Sequence, residues 1–260
     1  MNEPLVLVTK AAAVTTLTLN RPAALNSFTT AMNAELLRAL NVAADDTSVR
    51  CVVITGQGRA FCAGQDLGDP AAAPGADLGA LISTHYRPLV QRLQSMPVPV
   101  VAAVNGVAAG AGANLALCCD LVIAGRSASF IQAFSKIGLV PDTGGTWLLP
   151  RLVGQARALG LFMLGDKVPA PEAAAMGMIW QCVDDDALQA TVQALAERLA
   201  RMPTAALVAT RKAMADAQGM SLEGAFDLEA QLQKTFGSSR DYLEGVDAFR
   251  NKRPPIFTDR

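Results

Sequence analysis

The chain has a single histidine, and its five cysteines (Cys51, Cys62, Cys118, Cys119, Cys182) form no C-x-x-C pair. Too few soft ligands stand at metal-binding spacing for a zinc site, so no metal is expected. Charge is scarce: 17% of the 260 residues are Asp, Glu, Lys or Arg, and the net charge is −1. Without a basic stripe, nucleic acid is not an expected partner. Phosphate motifs are missing too. Gly56-Gln57-Gly58 is followed by Phe61 where a dinucleotide fingerprint needs its third glycine, and Gly110-Ala111-Gly112 meets Leu115 at that place. No Walker lysine exists. There is no internal repeat. Met1–Pro4 has neither a basic nor an apolar leader character, so reduced thiols in a cytoplasm are the expectation.

What is present is apolar. Half the residues are hydrophobic, enough for a large core. The segment from Leu93 to Cys119 carries no charge, but Pro97, Pro99, Asn105, Asn114 and three glycines interrupt it. It reads as a buried strand, a loop and a buried helix, not a membrane span. Leu5–Thr9 and Val14–Leu19 read as a hairpin. Thr30–Asp45 has apolar residues at helical spacing. Val49–Thr55, Val98–Val104 and Leu121–Ala124 read as buried strands, with a small-residue helix around Asn114. Apolar strands separated by helices imply crossovers and a largely parallel sheet. Asp69–Gly79 is expected to be a flexible loop. Beyond Gly154 only helices are predicted: Gln155–Leu164, Ala170–Met176, Leu188–Arg201, Ala205–Ala217, Leu222–Gln233 and Asp241–Arg250. The expected class is therefore α/β followed by a helical tail.

Two small-residue loops follow strands. One is Gly58 to Leu67; the other runs from Asn105 to Asn114 and opens a helix. Such loops let a ligand approach the main chain, and two N–H groups at neighbouring strand ends could bind one oxygen. They fit plain strand-to-helix turns equally well. Asp142, in Pro141-Asp142-Thr143-Gly144-Gly145, also has two readings. It could cap the helix that starts before Trp147. In apolar surroundings it could instead be a carboxyl with raised proton affinity, suited to taking and returning a proton. His85 borders the flexible loop, and no pattern marks it as a base.

Four blocks together carry a resemblance. Leu19-Asn20-Arg21-Pro22 with Leu25-Asn26-Ser27, Phe61-Cys62-Ala63-Gly64-Gln65-Asp66-Leu67, Asn105-Gly106 with Ala108, Gly110 and Gly112, and Pro141-Asp142 with Gly144-Gly145 are spaced as in the crotonase (enoyl-CoA hydratase/isomerase) superfamily. The resemblance implies a core of ββα repeats over residues 1–195 and a C-terminal helical trimerisation region over 196–260. It implies a coenzyme A thioester substrate, no separate cofactor, and a homotrimer or homohexamer. It implies an oxyanion hole made by the backbone N–H groups of Gln65 and Ala111. Contacts to the acyl-CoA would come from Arg21, Ala23, Leu25, Ala63, Gly64, Asp66, Leu67, Gly110, Asn114 and Phe134, with Lys252 and Arg253 meeting the nucleotide phosphates, those of a neighbouring subunit included, or forming a solvated basic end.

Further segments, among them Gly144 to Arg151 and Gly177 to Gln181, resemble the branch that isomerises the ring epoxide of phenylacetyl-CoA to an oxepin. They are also similar to Δ3,Δ2-enoyl-CoA isomerases. Hydratases of the superfamily use two glutamates to activate water; this chain has Asn114 and Phe134 there, and neither is a base. Asp142 stands where relatives lead one to expect glycine, as the acid left at a matching catalytic position. The resemblance therefore implies an acyl-CoA isomerase with Asp142 as proton shuttle. The alternatives are an aliphatic 3-enoyl isomerase and a non-catalytic acyl-CoA-binding relative.

Overall fold

A computed structural model describes residues 3–260. The chain first lays down the antiparallel hairpin β1 (Val6–Ala11) and β2 (Val14–Leu19), then α1 (Thr30–Asp45), β3 (Cys51–Gly56) and the short β4 (Ala60–Cys62). α2 (Leu78–Leu81), a π-helical turn at Ile82–Tyr86 and α3 (Arg87–Gln94) lead to β5 (Val100–Val104), β6 (Val107–Ala109), α4 (Ala111–Leu117), β7 (Leu121–Gly125) and β8 (Ser129–Ile131). Then come α5 (Gly145–Val153), α6 (Gln155–Leu164), β9 (Lys167–Pro169), α7 (Ala170–Ala175), β10 (Gln181–Val183) and α8 (Leu188–Ala200). Three helices close the chain: α9 (Thr204–Ala217), α10 (Leu222–Phe236) and α11 (Arg240–Arg250).

The main sheet has the order β1-β2-β3-β5-β7-β10, parallel from β2 onward. β3, β5 and β7 are each followed at once by a short strand, β4, β6 and β8. With β9 these short strands form a second sheet, β4-β6-β8-β9. Strand alternation sorts the main sheet's side chains to two cores. Val52, Ile54, Val100, Ala102 and Val104 pack with Leu36, Leu40, Leu89 and Leu93 on one face. Cys51, Val53, Val101 and Ala103 pack with Leu188, Val192, Ala196 and Leu199 of α8 on the other. A helix covers each face, which is why these strands read as continuous apolar runs.

α8 runs through residue 195 without a break, and its apolar stripe belongs to the second core. The chain leaves the core at Met202-Pro203, where the Arg50 guanidinium donates to the carbonyls of Ala200 (2.7 Å) and Met202 (2.9 Å). Beyond that point α9, α10 and α11 border an apolar groove of about 910 Å³, lined by residues such as Met214, Leu228, Leu232 and Phe249. Leu222, Phe226, Leu243 and Phe249 are exposed.

Two expectations are corrected. The region beyond Gly154 contains strands, β9 and β10, not helices alone. β10 extends the main sheet beside β7, and β9 pairs antiparallel with β8. At three residues each, neither is long enough to show a period-2 pattern. The Asp69–Gly79 stretch is not loose. The buried Asp69 carboxylate accepts from Ala71 N–H (2.9 Å) and from Thr30 N–H (2.8 Å) at the start of α1. Asp77 caps α2 by accepting from Ala80 N–H (2.9 Å). Two short carboxylates satisfy the turn's orphan donors and tie it to the first helix.

Candidate active site

The two small-residue loops meet. Ala63 N–H donates to Leu25 O (3.0 Å), Phe28 N–H to Gly64 O (2.7 Å), and Asp66 N–H to Phe28 O (2.8 Å). Residues 25–28 thus lie parallel to residues 63–66, with Phe28 opposite Gln65. In this pattern the Gln65 N–H points away from its neighbour strand, and no hydrogen-bond acceptor is found for it among the described residues. Gly64 has φ +94°, and a Cβ there would lie 2.9 Å from Ala109 O and 3.6 Å from Ala111 N. Only a residue without a side chain permits that approach.

The second donor comes from α4. Gly110, φ +50°, is its N-cap and ties back through its N–H to Ile131 O (2.8 Å). Ala111 is the first helical residue, so its N–H has no partner within the helix. The Gln65 and Ala111 amides thus belong to loops in contact, and neither has an acceptor among the described residues.

Asp142 is not a helix cap. α5 starts at Gly145 with Gly144 as N-cap and no side-chain capping bond. The carboxylate is largely withdrawn from water, and burial raises its proton affinity above the ordinary aspartate value. A hydrogen bond from Thr143 Oγ1 (2.8 Å) works against that rise without cancelling it. Phe134 is buried, with its ring edge over Gly110: a Cβ at Gly110 would be 3.7 Å from Phe134 Cζ. Asn114 is fully buried; its amide donates to the Asp142 main-chain carbonyl (2.9 Å) and accepts from Gln132 (2.9 Å).

Comparison with known proteins decides the family. The enoyl-CoA hydratase/isomerase family model matches residues 9–260. The 1,2-epoxyphenylacetyl-CoA isomerase of Escherichia coli (strain K12) is 52% identical over 250 residues, 95% of each chain. The chain belongs to the enoyl-CoA hydratase/isomerase family. A Rhodobacter capsulatus protein named as a probable enoyl-CoA hydratase is 51% identical over 94% of each chain. A crystal structure of an enoyl-CoA hydratase from Mycobacterium smegmatis superimposes with a TM-score of 0.91 at 34% identity, covering 98% of this chain and 99% of that one. Isomerase and hydratase names thus occur at nearly equal identity, and the site residues must separate the two chemistries.

In this member of the enoyl-CoA hydratase/isomerase family, the rim residues expected to meet the acyl-CoA cluster beside the first loop. Ala23 lies in the exposed turn Pro22–Ala24, Leu25 follows with φ +51°, and Leu67 is exposed. Arg21 donates to Ser27 O (2.5 Å) and pairs with Asp66 (2.9 Å). Asp66 also accepts from Gly68 N–H, and these bonds hold its carboxyl below the usual range. The pair fixes the loop. The Arg253 guanidinium pairs with Glu244 (2.6 Å) and Asp247 (2.7 Å) of α11, and Lys252 is exposed with φ +51°.

Three residues escaped sequence reasoning. Tyr86 is buried edge-on against Phe28, with ring centroids 6.1 Å apart, and its hydroxyl donates to Gln65 Oε1 (2.6 Å). Burial pushes its hydroxyl up, and the charge of Asp142 adds to that. Gln132 supports Asn114. Asn33 on α1 faces the Tyr86 hydroxyl without closing a well-formed hydrogen bond. A signal for Asn33 existed: it occupies an apolar position in the i, i+3, i+7 stripe with Leu36 and Leu40. The cysteines are not nucleophiles, since burial pushes the Cys51, Cys62 and Cys118 thiols up to about 12. His85 is half-buried in the π-helical turn.

Proposed function

We propose that the protein is an acyl-CoA isomerase that converts 1,2-epoxyphenylacetyl-CoA to the oxepin thioester. Gln65 N–H and Ala111 N–H bind the thioester oxygen and stabilise the enolate. Asp142 removes a proton from the carbon next to the thioester. The C–C bond shared by the epoxide and the six-membered ring breaks and both C–O bonds stay, giving the seven-membered ring. The C–H electrons form a double bond from the α carbon to the ring, and the ring double bond they displace supplies the pair that takes up the proton at a ring carbon. The same carboxyl then returns its proton to a ring carbon, so the net change is an isomerisation. Rim residues from Ala23 to Leu67 hold the pantetheine side, and Phe134 shields the intermediate from water. Coenzyme A arrives with the substrate, and no separate cofactor takes part.

The observation that carries this reading is a half-buried carboxyl with raised proton affinity, in a chain whose two loop amides have no acceptor among the described residues. Asp142 has its proton affinity raised by burial, and the two positions that hold glutamates in hydratases hold Asn114 and Phe134. A raised carboxyl suits a group that both takes and returns a proton. Turnover should therefore be measured side by side on three thioesters: the ring epoxide, a 3-enoyl-CoA and crotonyl-CoA. The ring epoxide should be the best substrate, and water addition to crotonyl-CoA negligible. Efficient formation of 3-hydroxybutyryl-CoA would sink the isomerase reading, and a strong preference for the 3-enoyl thioester would replace the ring substrate with an aliphatic one.

The functional assembly is a homotrimer, alone or paired into a hexamer. The exposed Leu222, Phe226, Leu243 and Phe249 form more apolar surface than a free helical tail leaves to water. Light scattering at micromolar concentration should give a mass of three or six chains. A monodisperse monomer with full turnover would remove this part of the proposal.

A further inference from the structure

Asp142 lies in the turn between Ile137 and α5, not on a helix or strand. That turn is conformationally costly: Thr143 has φ +51° and Gly144 φ +77°, two successive residues in the left-handed region. Something outside the turn must hold it. The structure supplies one chain of polar groups that does. Gln132 Nε2 donates to Asn114 Oδ1 (2.9 Å). That bond leaves Asn114 Nδ2 to donate to the Asp142 main-chain carbonyl (2.9 Å). The same carbonyl accepts from Gly145 N–H (2.8 Å), the first residue of α5. Asn114 is completely buried and Gln132 is 3% exposed, so water does not compete for these bonds. A Cβ at Gly145 would land on the Asn114 amide, so the turn lies directly against it.

The other end of Asn114 matters as much. It is the fourth residue of α4, and its N–H closes the first helical turn on Gly110 O (3.0 Å). Ala111, whose amide faces the thioester oxygen, is three residues earlier on the same helix face. One short helix therefore carries the oxyanion donor at its start and the anchor of the base one turn later, a rise of about 4.5 Å. We infer that Asn114 is a positioning residue: it fixes the Asp142 carboxylate relative to the Ala111 amide, and Gln132 fixes the orientation of the Asn114 amide. The inference rests on Asp142 being the base. An amide suits the task because it grips the main-chain carbonyl and adds no charge beside the carboxylate. Of titratable groups, Tyr86 faces Asp142 from the π-helical turn, and the Cys118 thiol lies against the Thr143 carbonyl.

The test is α-proton exchange of phenylacetyl-CoA in D2O, which needs only the base and the oxyanion donors. Wild type, Asn114→Ala, Asn114→Asp and Asp142→Asn are compared across pH, with thioester affinity and melting temperature measured alongside. Asn114→Ala should slow exchange by about 10- to 100-fold while affinity stays within about three-fold. Its acid limb should move to lower pH, because water reaches the carboxylate through the vacated space. Asn114→Asp keeps the shape and the bond from Gln132, and should move the acid limb to higher pH through its added negative charge. It also carries the test if the alanine variant does not fold. A role in folding alone would change the amount of active protein and leave the limb in place. Folded Asn114 variants with unmoved limbs and exchange within about two-fold of wild type, beside a silent Asp142→Asn, would overturn the positioning role alone. Exchange retained in Asp142→Asn would take down the base assignment and this inference with it.

Discussion

Asp142→Asn should lower isomerisation by about 10²- to 10⁴-fold and leave thioester binding within a few-fold. The amide has the shape of the carboxyl and its oxygen still accepts from Thr143 Oγ1, but it neither takes nor returns a proton. Two companion results follow from burial. In the wild type, kcat/KM should fall on the acid side with an apparent pKa above the ordinary aspartate value of 3.8, because the active form is the carboxylate and its proton affinity is raised. Stability should move oppositely to activity. A carboxyl that binds its proton more tightly folded than unfolded loses folding stability as pH rises from its ordinary value through its raised one. Asparagine has no such penalty at neutral pH, so the variant should melt no lower than wild type. Single-turnover activity near the wild-type level would show that Asp142 does no proton transfer.

Ala111→Pro should be nearly as severe. Loss of one oxyanion donor costs roughly 3 kcal/mol at the transition state, or about 10²-fold or more in kcat. The position favours a clean experiment. Ala111 is the first residue of α4, where proline is well tolerated because its missing N–H has no helical partner. The preceding Gly110 adapts to a following proline more readily than any other residue. Circular dichroism and melting establish that the variant is folded. Near-normal turnover by folded Ala111→Pro would place the thioester oxygen elsewhere and undo the mechanism. The fold would stand.

The strands and helices of the main layer were legible because burial on both sides of the sheet leaves long apolar runs. Thr30–Asp45 and Gln155–Leu164 have the bounds their spacing predicts. The second sheet was not legible as strands. Its members are three residues long, and what makes them strands is pairing with one another, β4 with β6, β6 with β8 and β8 with β9, a tertiary fact. The candidate site divides in the same way. Gln65, Ala111 and Asp142 were singled out because four spaced blocks carry the family pattern. Tyr86, Asn33 and Gln132 act through side chains that meet only after folding, and Gln132 and Tyr86 lie outside every motif. Local chemistry misread Asp142 most directly. Asp-Thr-Gly-Gly is good capping sequence, but Thr143 and Gly144 are left-handed and Gly144 becomes the N-cap, so the carboxylate accepts from Thr143 Oγ1 and not from the helix start.

Gly112 has a wider meaning than helix packing. A Cβ on it would land on the carbonyl oxygen of Cys62, the last residue of β4. The loop that carries Gln65 leaves β4 directly, and α4 carries Ala111. The gap between the two proposed oxyanion amides is thus calibrated by the close approach of α4 to Cys62, whose carbonyl oxygen, Cβ and Sγ all stand where a Gly112 side chain would begin. A calibration of this kind has no adjustable part. Residues around it, Asn114 and Phe134 among them, can change size, polarity or charge, and the gauge that defines where an oxygen fits between the two amides stays the same.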